Sequence, residues 1–395
     1  MNLAALDASA LVPRPELPPL PGIAGVQRSQ LERWFSSCGR PPRLDLARSG
    51  APGLTARQIL GLAAPDDVEA YLDMSLDYGP GVGTERLRTA AAAVADCSPE
   101  DVIITHGAIE ALLLACAASL ESRTTVAVAS PGYEGLFRAV EAAGGVVQRV
   151  PVWSPGASGL DLARLLDLDL ARYGAVVVNS PHNPTGLTAA VRDLADLAER
   201  CVAASTTLIV DQVSLGTLDP WARSVLRHAP ASPAVVQVGD VSKAFGLGGL
   251  RVGWCAVPEP ARRARIAELR DVTSLANSAP SQHLAAIALE NGTALSAAPT
   301  AQSNLERLCA LTETLAPSDR WSTPADGLVA FPPLPLVISA RVFADRLRER
   351  FGVAVTPGSF FGYDRHLRVG LGLAPALFEE ALDRLVCALD AGAGA

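Results

Sequence analysis

The chain has 395 residues, which is too long for one ordinary core and fits about two or three domains. Hydrophobic residues make up 49% and charged residues 19%, so a large core can be buried. The formal net charge of -8 argues against a dedicated nucleic-acid binder or a basic membrane-surface protein.

The cysteines and the N-terminus bear on where the protein works. Seven cysteines are scattered without a CxxC pair, so neither a disulfide framework nor a zinc site is expected, and a reducing cytoplasm is the simpler interpretation. The N-terminus lacks the basic region and clean apolar run of a secretory signal. The longest apolar stretch, 111–120, is only about half a membrane span. We therefore expect a soluble cytoplasmic protein without a metal.

The predicted elements begin with a Pro-rich stretch over about residues 1–30, which cannot run as a helix and predicts an extended arm. Short apolar runs then alternate with helical patterns, which cover 107–120, 133–143 and 188–201. The predicted strands are 102–105, 125–130, 146–152, 175–180, 207–213 and 234–240. Because these runs are β-branched and apolar on both faces, they predict an α/β fold whose mostly parallel sheet is covered by helices on both sides.

The pattern changes after about residue 285. A long helical stretch is followed by a Pro-rich turn region at 324–335 and by helices near 341–351 and 375–390. We take this part, together with the N-terminal segment, as a second and smaller α+β domain. The predicted division is an arm with part of the small domain over 1–75, a large domain over 76–284 and the rest of the small domain over 285–395.

Two loops at predicted strand ends have unusual sequences, and such loops collect functional groups in parallel sheets. Gly107 opens a helix directly after a strand, which exposes backbone N–H groups that can hold a phosphate, although ordinary turns use glycine as often. NSPHNPTG, at 179–186, has two prolines and two asparagines and predicts a rigid turn. Within it, Asn183 can donate a hydrogen bond to a ring oxygen.

Charged residues mark two further strand ends. Asp211 ends a buried strand, where a carboxylate needs a partner such as a protonated pyridine nitrogen; a helix cap or a salt bridge is the alternative. Lys243 lies in GDVSKAFGLGGLRVGW, a Gly-rich apolar setting that favours a lowered pKa and a Schiff base over a solvated surface lysine. Arg251, eight residues later, suits a phosphate.

Taken in order, these motifs resemble the class I and II aminotransferases, enzymes of fold type I that use pyridoxal 5′-phosphate (PLP). The resemblance spans about residues 70–375, and NPTG, the aspartate at 211 and the SK-x7-R-x-G pattern at 242–253 carry it. It implies a PLP-binding large domain, a small-molecule amino-acid substrate, and a homodimer with shared active sites.

The resemblance also implies roles for individual residues around the PLP ring. Lys243 would form the Schiff base and move the proton at the substrate Cα. Asp211 would keep the ring nitrogen protonated, which makes the ring an electron sink. Asn183 would bond the ring 3′-oxygen and face the substrate, and Tyr133 would stack on the ring.

The phosphate and the substrate carboxylate have matching residues as well. Gly107, Ala108 and Ile109 match the phosphate-binding helix start, and Arg251 matches the phosphate arginine. Tyr78 matches a tyrosine that reaches a phosphate across the dimer interface. Arg368 matches the arginine that clamps the substrate α-carboxylate through a bidentate fork.

Two positions depart from the family pattern. Ser214 stands where the family has a tyrosine that donates to the ring 3′-oxygen. Asp240 stands where the family has a small hydroxyl residue that touches the phosphate; a carboxylate there would repel the phosphate, so we expect Asp240 to face a cation, such as one on the substrate. Glu32 and Asp45 are further candidates to meet a cationic substrate tail, although solvated surface charge is the favoured interpretation for both.

Three functions remain open. GDVSK resembles the branch that includes capreomycidine synthases and PLP-dependent arginine oxidases of antibiotic pathways. The changes at Ser214 and Asp240 slightly favour a non-transaminating reaction, such as elimination, replacement, cyclisation or oxygen-dependent oxidation, over ordinary transamination, because they alter the cofactor's surroundings and keep the Schiff-base residues. A non-enzymatic regulator with this fold would carry a fused DNA-binding segment, for which the Pro-rich, non-basic N-terminus is unsuited.

Overall fold

The computed structural model describes residues 26–120, 123–217, 224–228, 232–292, 294–315, 321–333 and 338–393. The predicted Pro-rich arm lies almost entirely outside these residues. Within them the strands are β1 (Leu44–Asp45), β2 (Val102–Thr105), β3 (Thr125–Ser130), β4 (Val146–Pro151), β5 (Ala175–Asn179), β6 (Thr207–Asp211), β7 (Val235–Asp240), β8 (Gly253–Ala256), β9 (Val329–Ala330), β10 (Val353–Ala354), β11 (Thr356–Pro357) and β12 (Leu367–Gly370).

The described α-helices lie between and after these strands. They are α1 (Gln30–Ser37), α2 (Ala56–Leu60), α3 (Pro65–Leu72), α4 (Glu85–Ala95), α5 (Ala108–Ala117), α6 (Glu134–Ala142), α7 (Ala163–Leu166), α8 (Val191–Ala203), α9 (Val225–His228), α10 (Pro260–Asp271), α11 (Ala279–Glu290), α12 (Ala298–Leu315), α13 (Ala340–Phe351) and α14 (Pro375–Ala393). Among the described residues, no helix has the length and apolar character needed to cross a membrane.

The central sheet has the strand order β2-β8-β7-β6-β5-β3-β4 in the described part of the chain. All neighbours pair in parallel except β8, which runs antiparallel to both β2 and β7. Every residue of β5, β6 and β7 is buried, because helices cover both faces. The predicted mostly parallel α/β sheet is therefore confirmed.

The edge strand β4 differs from its prediction as a strand buried on both faces. Most of its residues are exposed, and the Val146 side chain is 59% exposed. It lies beside β3 alone, at one end of the sheet. The strand β8 was absent from the predicted series, because its short sequence lies inside the glycine-rich motif that follows Lys243.

A smaller α+β part is built from both ends of the described chain. Strands β11, β12 and β9 form an antiparallel sheet, and helices α12, α13 and α14 contribute to one apolar core with it. The N-terminal strand β1 pairs in parallel with β10, with Leu44 opposite Val353. The N-terminal segment thus joins the C-terminal part, while the domain bounds stay a prediction.

Residues 26–54, called the strap below, cross from the large sheet to this smaller part. Buried Glu134, at the start of α6, accepts hydrogen bonds from the Ser29 hydroxyl and from the backbone N–H of Leu31, which satisfies donors at the N-terminus of α1. Further along α1, the Trp34 Nε1 donates to Asp345 of α13 at 3.3 Å. The strap is therefore anchored on both parts of the molecule.

Candidate active site

A cavity of about 750 Å³ lies where the carboxyl ends of β5, β6 and β7 meet the start of α5 and the strap. Its wall brings together most of the residues singled out in the sequence. These are Ala108, Ile109, Tyr133, Asn183, Asp211, Ser214, Asp240, Lys243, Arg251 and Arg368. Gly107 caps the N-terminus of α5 at the cavity edge.

Lys243 lies partly buried on this wall, three residues after β7. Its Nζ donates a hydrogen bond to the Ser49 hydroxyl at 3.1 Å. Burial lowers the pKa of Lys243, and the neighbouring Asp240 carboxylate partly opposes that shift. The site thus favours a neutral amine, the form that is nucleophilic.

Asp211 ends β6 and is 4% exposed. Its Oδ1 accepts a hydrogen bond from the backbone N–H of Val213 at 3.1 Å, and no cationic side chain of the described residues lies within salt-bridge distance. Burial raises the pKa of Asp211 to about 7. A buried carboxyl facing a cavity without a cation partner fits a ligand that brings a protonated ring nitrogen.

Asp240 is also buried at a strand end, with 8% of its surface exposed. Ser242 holds it with a backbone N–H at 2.8 Å and a hydroxyl at 2.7 Å from Oδ1. Its carboxylate raises the pKa of Lys243. The expected contact of Asp240 with a cation on the substrate stays a prediction.

Arg368, on β12, is 2% exposed and is held by neutral acceptors. Its Nη1 donates to Asn183 Oδ1 at 3.0 Å, and its Nη2 donates to Ala47 O at 2.8 Å and Thr356 Oγ1 at 3.1 Å. Its Nε has no hydrogen-bond partner among the described residues. Burial lowers its pKa to about 10, so it stays charged at neutral pH. A buried guanidinium without a carboxylate partner suits a ligand carboxylate.

A chain of amides connects Arg368 to the end of β6. The backbone N–H of Asn183 donates to Asn179 Oδ1 at 2.7 Å, and Asn179 Nδ2 donates to Asp211 O at 3.1 Å. These bonds fix the NSPHNPTG turn against the neighbouring strand. They therefore set the distance between the two charged groups, Asp211 and Arg368.

The start of α5 forms a concave end of the cavity. Gly107 has φ of 78°, and a Cβ there would overlap the Arg251 guanidinium. Arg251 Nη2 donates to His106 O at 3.1 Å, beside the first backbone N–H groups of the helix. A helix N-terminus with an adjacent arginine and no side chain between them fits a phosphate. Together with Asp211 and Lys243, the residues present fit PLP.

The strap supplies two carboxylates to the opposite wall. Glu32 accepts a hydrogen bond from the Tyr133 hydroxyl at 2.8 Å. Asp45 is partly buried and accepts from Arg48 Nε at 2.9 Å. Both residues line the cavity, with Glu32 exposed to solvent, and their contact with a cationic substrate tail stays a prediction. Burial, with Glu32 as the second cause, raises the pKa of Tyr133.

Two predicted cofactor residues, Ser214 and Tyr78, lie in different places relative to the cavity. Ser214 lines the cavity where the resemblance expects a tyrosine, so Tyr133 is the one tyrosine among the described lining residues. Tyr78 is 83% exposed and lies outside the cavity wall of this chain. Its contact with a phosphate across a dimer interface stays a prediction.

Sequence reasoning missed Ser49, Ala47 and Thr356, because no local motif marks them. One further signal in the sequence was available for Lys243. It is the single lysine among 33 lysine and arginine residues. A chain that uses arginine at every other such position retains one amine side chain, and that amine lies in the cavity.

Comparisons with known proteins agree with this geometry. A family model described as aminotransferase class I and II matches residues 63–385. Capreomycidine synthase of Streptomyces vinaceus is 30% identical over 372 residues, which cover 91% of this chain and 93% of that relative. Arginine–pyruvate transaminase of Pseudomonas aeruginosa is 30% identical over 317 residues, which cover 78% and 79% of the two chains.

Among solved structures, the PLP-dependent cyclase OrfR matches with a TM-score of 0.82 and 28% identity. The match covers 92% of this chain and 97% of that one. The fold type, the cofactor and the likeness to capreomycidine synthase predicted from the sequence are thereby confirmed. This chain belongs to the class I and II aminotransferase family and is a PLP-dependent enzyme of amino-acid chemistry.

Proposed function

We propose that this enzyme catalyses a reaction other than transamination on an α-amino acid with a cationic side chain, in specialised metabolism. The reaction class is elimination or replacement, cyclisation, or oxygen-dependent oxidation at the substrate carbons next to the amino group. The observation that carries the proposal is that Glu32 and Asp240, together with Asp45, which pairs with Arg48, lie on the wall of a cavity that also holds Arg368. An amino acid with a positive tail satisfies both kinds of charge at once.

The departures at two positions support a change in reaction type. Ser214 places a small hydroxyl where the family has a phenol, and the remaining cavity phenol, Tyr133, donates to Glu32. Asp240 adds a buried negative charge next to Lys243. Both features alter how protons are held around the reacting atoms while the lysine and Asp211 are kept. Two relatives that cover over nine-tenths of the chain are named as a synthase and a cyclase.

The chain's own residues have distinct roles in this proposal. PLP, when bound, supplies an electron sink for negative charge at the substrate Cα. Arg368 would bind the α-carboxylate, and its Nε is the donor without a partner among the described residues. Lys243 would hold the cofactor, and its amine would take the proton from the substrate Cα. The Asp211 carboxylate would accept a hydrogen bond from the protonated ring nitrogen and so keep that nitrogen charged.

Ordinary transamination is the second candidate. The lysine, Asp211 and Arg368 that transamination needs are all on the cavity wall. The arginine–pyruvate transaminase relative also shows that a family member with a cationic substrate transfers its amino group. The two candidates share substrate chemistry and differ in the need for a keto acid.

The test is turnover of the holoenzyme without a keto acid, in air and without oxygen. The panel is arginine, ornithine and lysine, with citrulline as the uncharged counterpart of arginine, and products are identified by mass spectrometry. Many turnovers of a cationic amino acid without an acceptor would support the proposal, and oxygen dependence would separate oxidation from the other classes. Reaction that stops after one equivalent and resumes with pyruvate would establish transamination instead.

Assembly and location belong to the same proposal. We infer a homodimer in which Tyr78, exposed on one chain, reaches the phosphate of its partner. A cytoplasmic location agrees with seven cysteines that are all free thiols. A Tyr78→Phe variant with unchanged affinity for PLP would contradict the role of that hydroxyl.

A further inference from the structure

Ser49, on the strap, is the hydrogen-bond partner of the reactive amine. Its hydroxyl oxygen accepts from Lys243 Nζ at 3.1 Å, and both residues line the cavity. Among the described residues, no other side chain or backbone group accepts a hydrogen bond from this nitrogen. The two residues are 194 positions apart, so the tertiary fold creates the contact.

The backbone around Ser49 is fixed against the loop that carries Lys243. The backbone N–H of Ala51 donates to Lys243 O at 2.9 Å. A Cβ on Gly50 would lie 3.1 Å from Ser242 O and 3.3 Å from Lys243 Cα, so only a residue without a side chain fits without displacement. Because strap and loop touch through their backbones, the Ser49 hydroxyl has a defined position relative to Lys243.

The charged groups around Lys243 cannot replace this contact. Asp240, from the end of β7, and Asp211, from β6, are carboxylates that act on the amine through space, as Glu32 of the strap does. Arg368, from β12, is the like charge that faces it. These groups set the balance between ammonium and amine but do not hold the nitrogen at one point. Because a lysine side chain is a flexible four-carbon stem, its free amine needs a hydrogen-bond partner to keep one position.

We propose that Ser49 is a positioning residue, which holds the ε-amino group of Lys243 at the cavity wall whenever that amine is not covalently engaged. This inference rests on the proposed function, in which the released amine takes the proton from the substrate Cα. Displacement of a reacting group by about 1 Å can cost roughly 100-fold in rate. A hydroxyl within hydrogen-bond distance of Nζ limits such displacement.

The test compares Ser49→Ala with Ser49→Thr, which keeps the hydroxyl. In the holoenzyme, the rate at which the substrate Cα hydrogen exchanges with D₂O is measured by mass spectrometry. We expect Ser49→Ala to slow the exchange roughly ten-fold or more, with unchanged substrate affinity, and Ser49→Thr to restore most of the rate. Ser49→Cys, a weaker acceptor of similar size, should fall between them.

A second readout uses the full-length chain without cofactor and does not depend on activity. Because the chain has a single lysine, acetic anhydride labels one side-chain amine, and the labelling rate against pH reports its pKa. Since the hydroxyl oxygen accepts from the ammonium, Ser49→Ala should lower the pKa of Lys243 and Ser49→Thr should not. This readout separates positioning from a general loss of folding.

The outcomes distinguish the two proposals. Wild-type exchange and a wild-type Lys243 pKa in Ser49→Ala would overturn the role of Ser49 and leave the proposed function intact. Persistent Cα exchange in Lys243→Ala would instead overturn the role of the lysine. If Ser49→Ala does not fold, equal exchange rates in the Cys, Thr and wild-type enzymes would overturn the positioning role.

Discussion

The two walls of the cavity hold their charged groups in different ways. On the sheet side, Asp211 and Asp240 are buried at the ends of strands and accept hydrogen bonds from backbone N–H groups of their own loops. On the strap side, Glu32 is exposed and held by one phenol, while Asp45 is partly buried and accepts from the backbone N–H of Ala47 and from Arg48. The two carboxyl groups of the sheet wall are thus buried and held by the backbone, whereas Glu32 of the strap wall is exposed and depends on one side chain.

The difference in how the two walls hold their charged groups indicates which step each wall controls. Groups fixed by backbone bonds on regular strands keep their geometry, and therefore suit the cofactor chemistry. An exposed carboxylate held by one side chain, such as Glu32 on α1, can change partners when a substrate enters, and therefore suits recognition of the substrate tail. Substitutions on the sheet wall should thus abolish reaction steps, and substitutions on the strap wall should shift substrate preference.

The largest effect should come from Lys243→Ala. Without this amine the cofactor has no side-chain nitrogen to bind covalently, since the chain has no second lysine. We expect turnover to fall by at least about 10⁴-fold. Borohydride reduction followed by peptide mass spectrometry should fix the cofactor on the Lys243 peptide of the wild type and on no side chain of the variant. Fixation at another residue would contradict the assignment.

The second-largest effect should come from Arg368→Ala, which lowers the affinity for the substrate. Removing a buried, charge-assisted partner of the carboxylate should raise KM by roughly 10²- to 10³-fold. Arg368→Lys, which keeps the charge and loses the fork, should retain part of the affinity. Steady-state kinetics on an amino acid and on its carboxamide would check this. A KM that does not change would mean that the carboxylate binds elsewhere.

Asp211 should make the stability of the cofactor-free chain depend on pH. Its pKa is raised from 3.8 to about 7 in the folded chain, so between these values the folded state binds a proton that the unfolded state lacks. Stability should therefore be gained as pH falls through about 7 and lost as it rises through that value, by up to a few kcal/mol. Melting temperatures of wild type and Asp211→Asn between about pH 5 and pH 8 would test this.

The variant Asp211→Asn should show a flatter dependence, since the amide does not titrate. Asp390→Asn, at an exposed position of α14, is the matched control and should keep the wild-type dependence. Parallel pH curves for wild type and Asp211→Asn would show that the buried carboxyl does not titrate in this range. The surroundings of the Asp211 carboxyl group would then be less apolar than its low exposure indicates.

The smallest effect should come from Glu32→Gln on the strap wall. Because Glu32 is exposed to the cavity, its attraction for a cation is screened, and KM for a cationic amino acid should rise only about three- to ten-fold. KM for the uncharged counterpart should stay unchanged. Glu349→Gln, an exposed carboxylate of α13 away from the cavity, is the control. An equal rise for charged and uncharged substrates would remove the distinction between the walls.

The sheet wall could be predicted from local sequence. Asp211, Asn183 and Lys243 each follow a short apolar run, and the carboxyl ends of parallel strands lie at one edge of a sheet. The spacing from Lys243 to Arg251 likewise reflects a local turn before β8. Burial of β4 was predicted wrongly, because its sequence does not reveal that it lies at the edge of the sheet.

The sequence by itself determined the strand ends that carry Asp211 and Asp240, since each carboxyl group is held by a backbone N–H of the loop that follows its own strand. Only the tertiary structure decided that the strap closes the cavity. Glu32 meets Tyr133 across 101 positions, and Ser49 meets Lys243 across 194. Such contacts depend on how the strap packs on both parts of the molecule, and no local pattern of residue types encodes that packing.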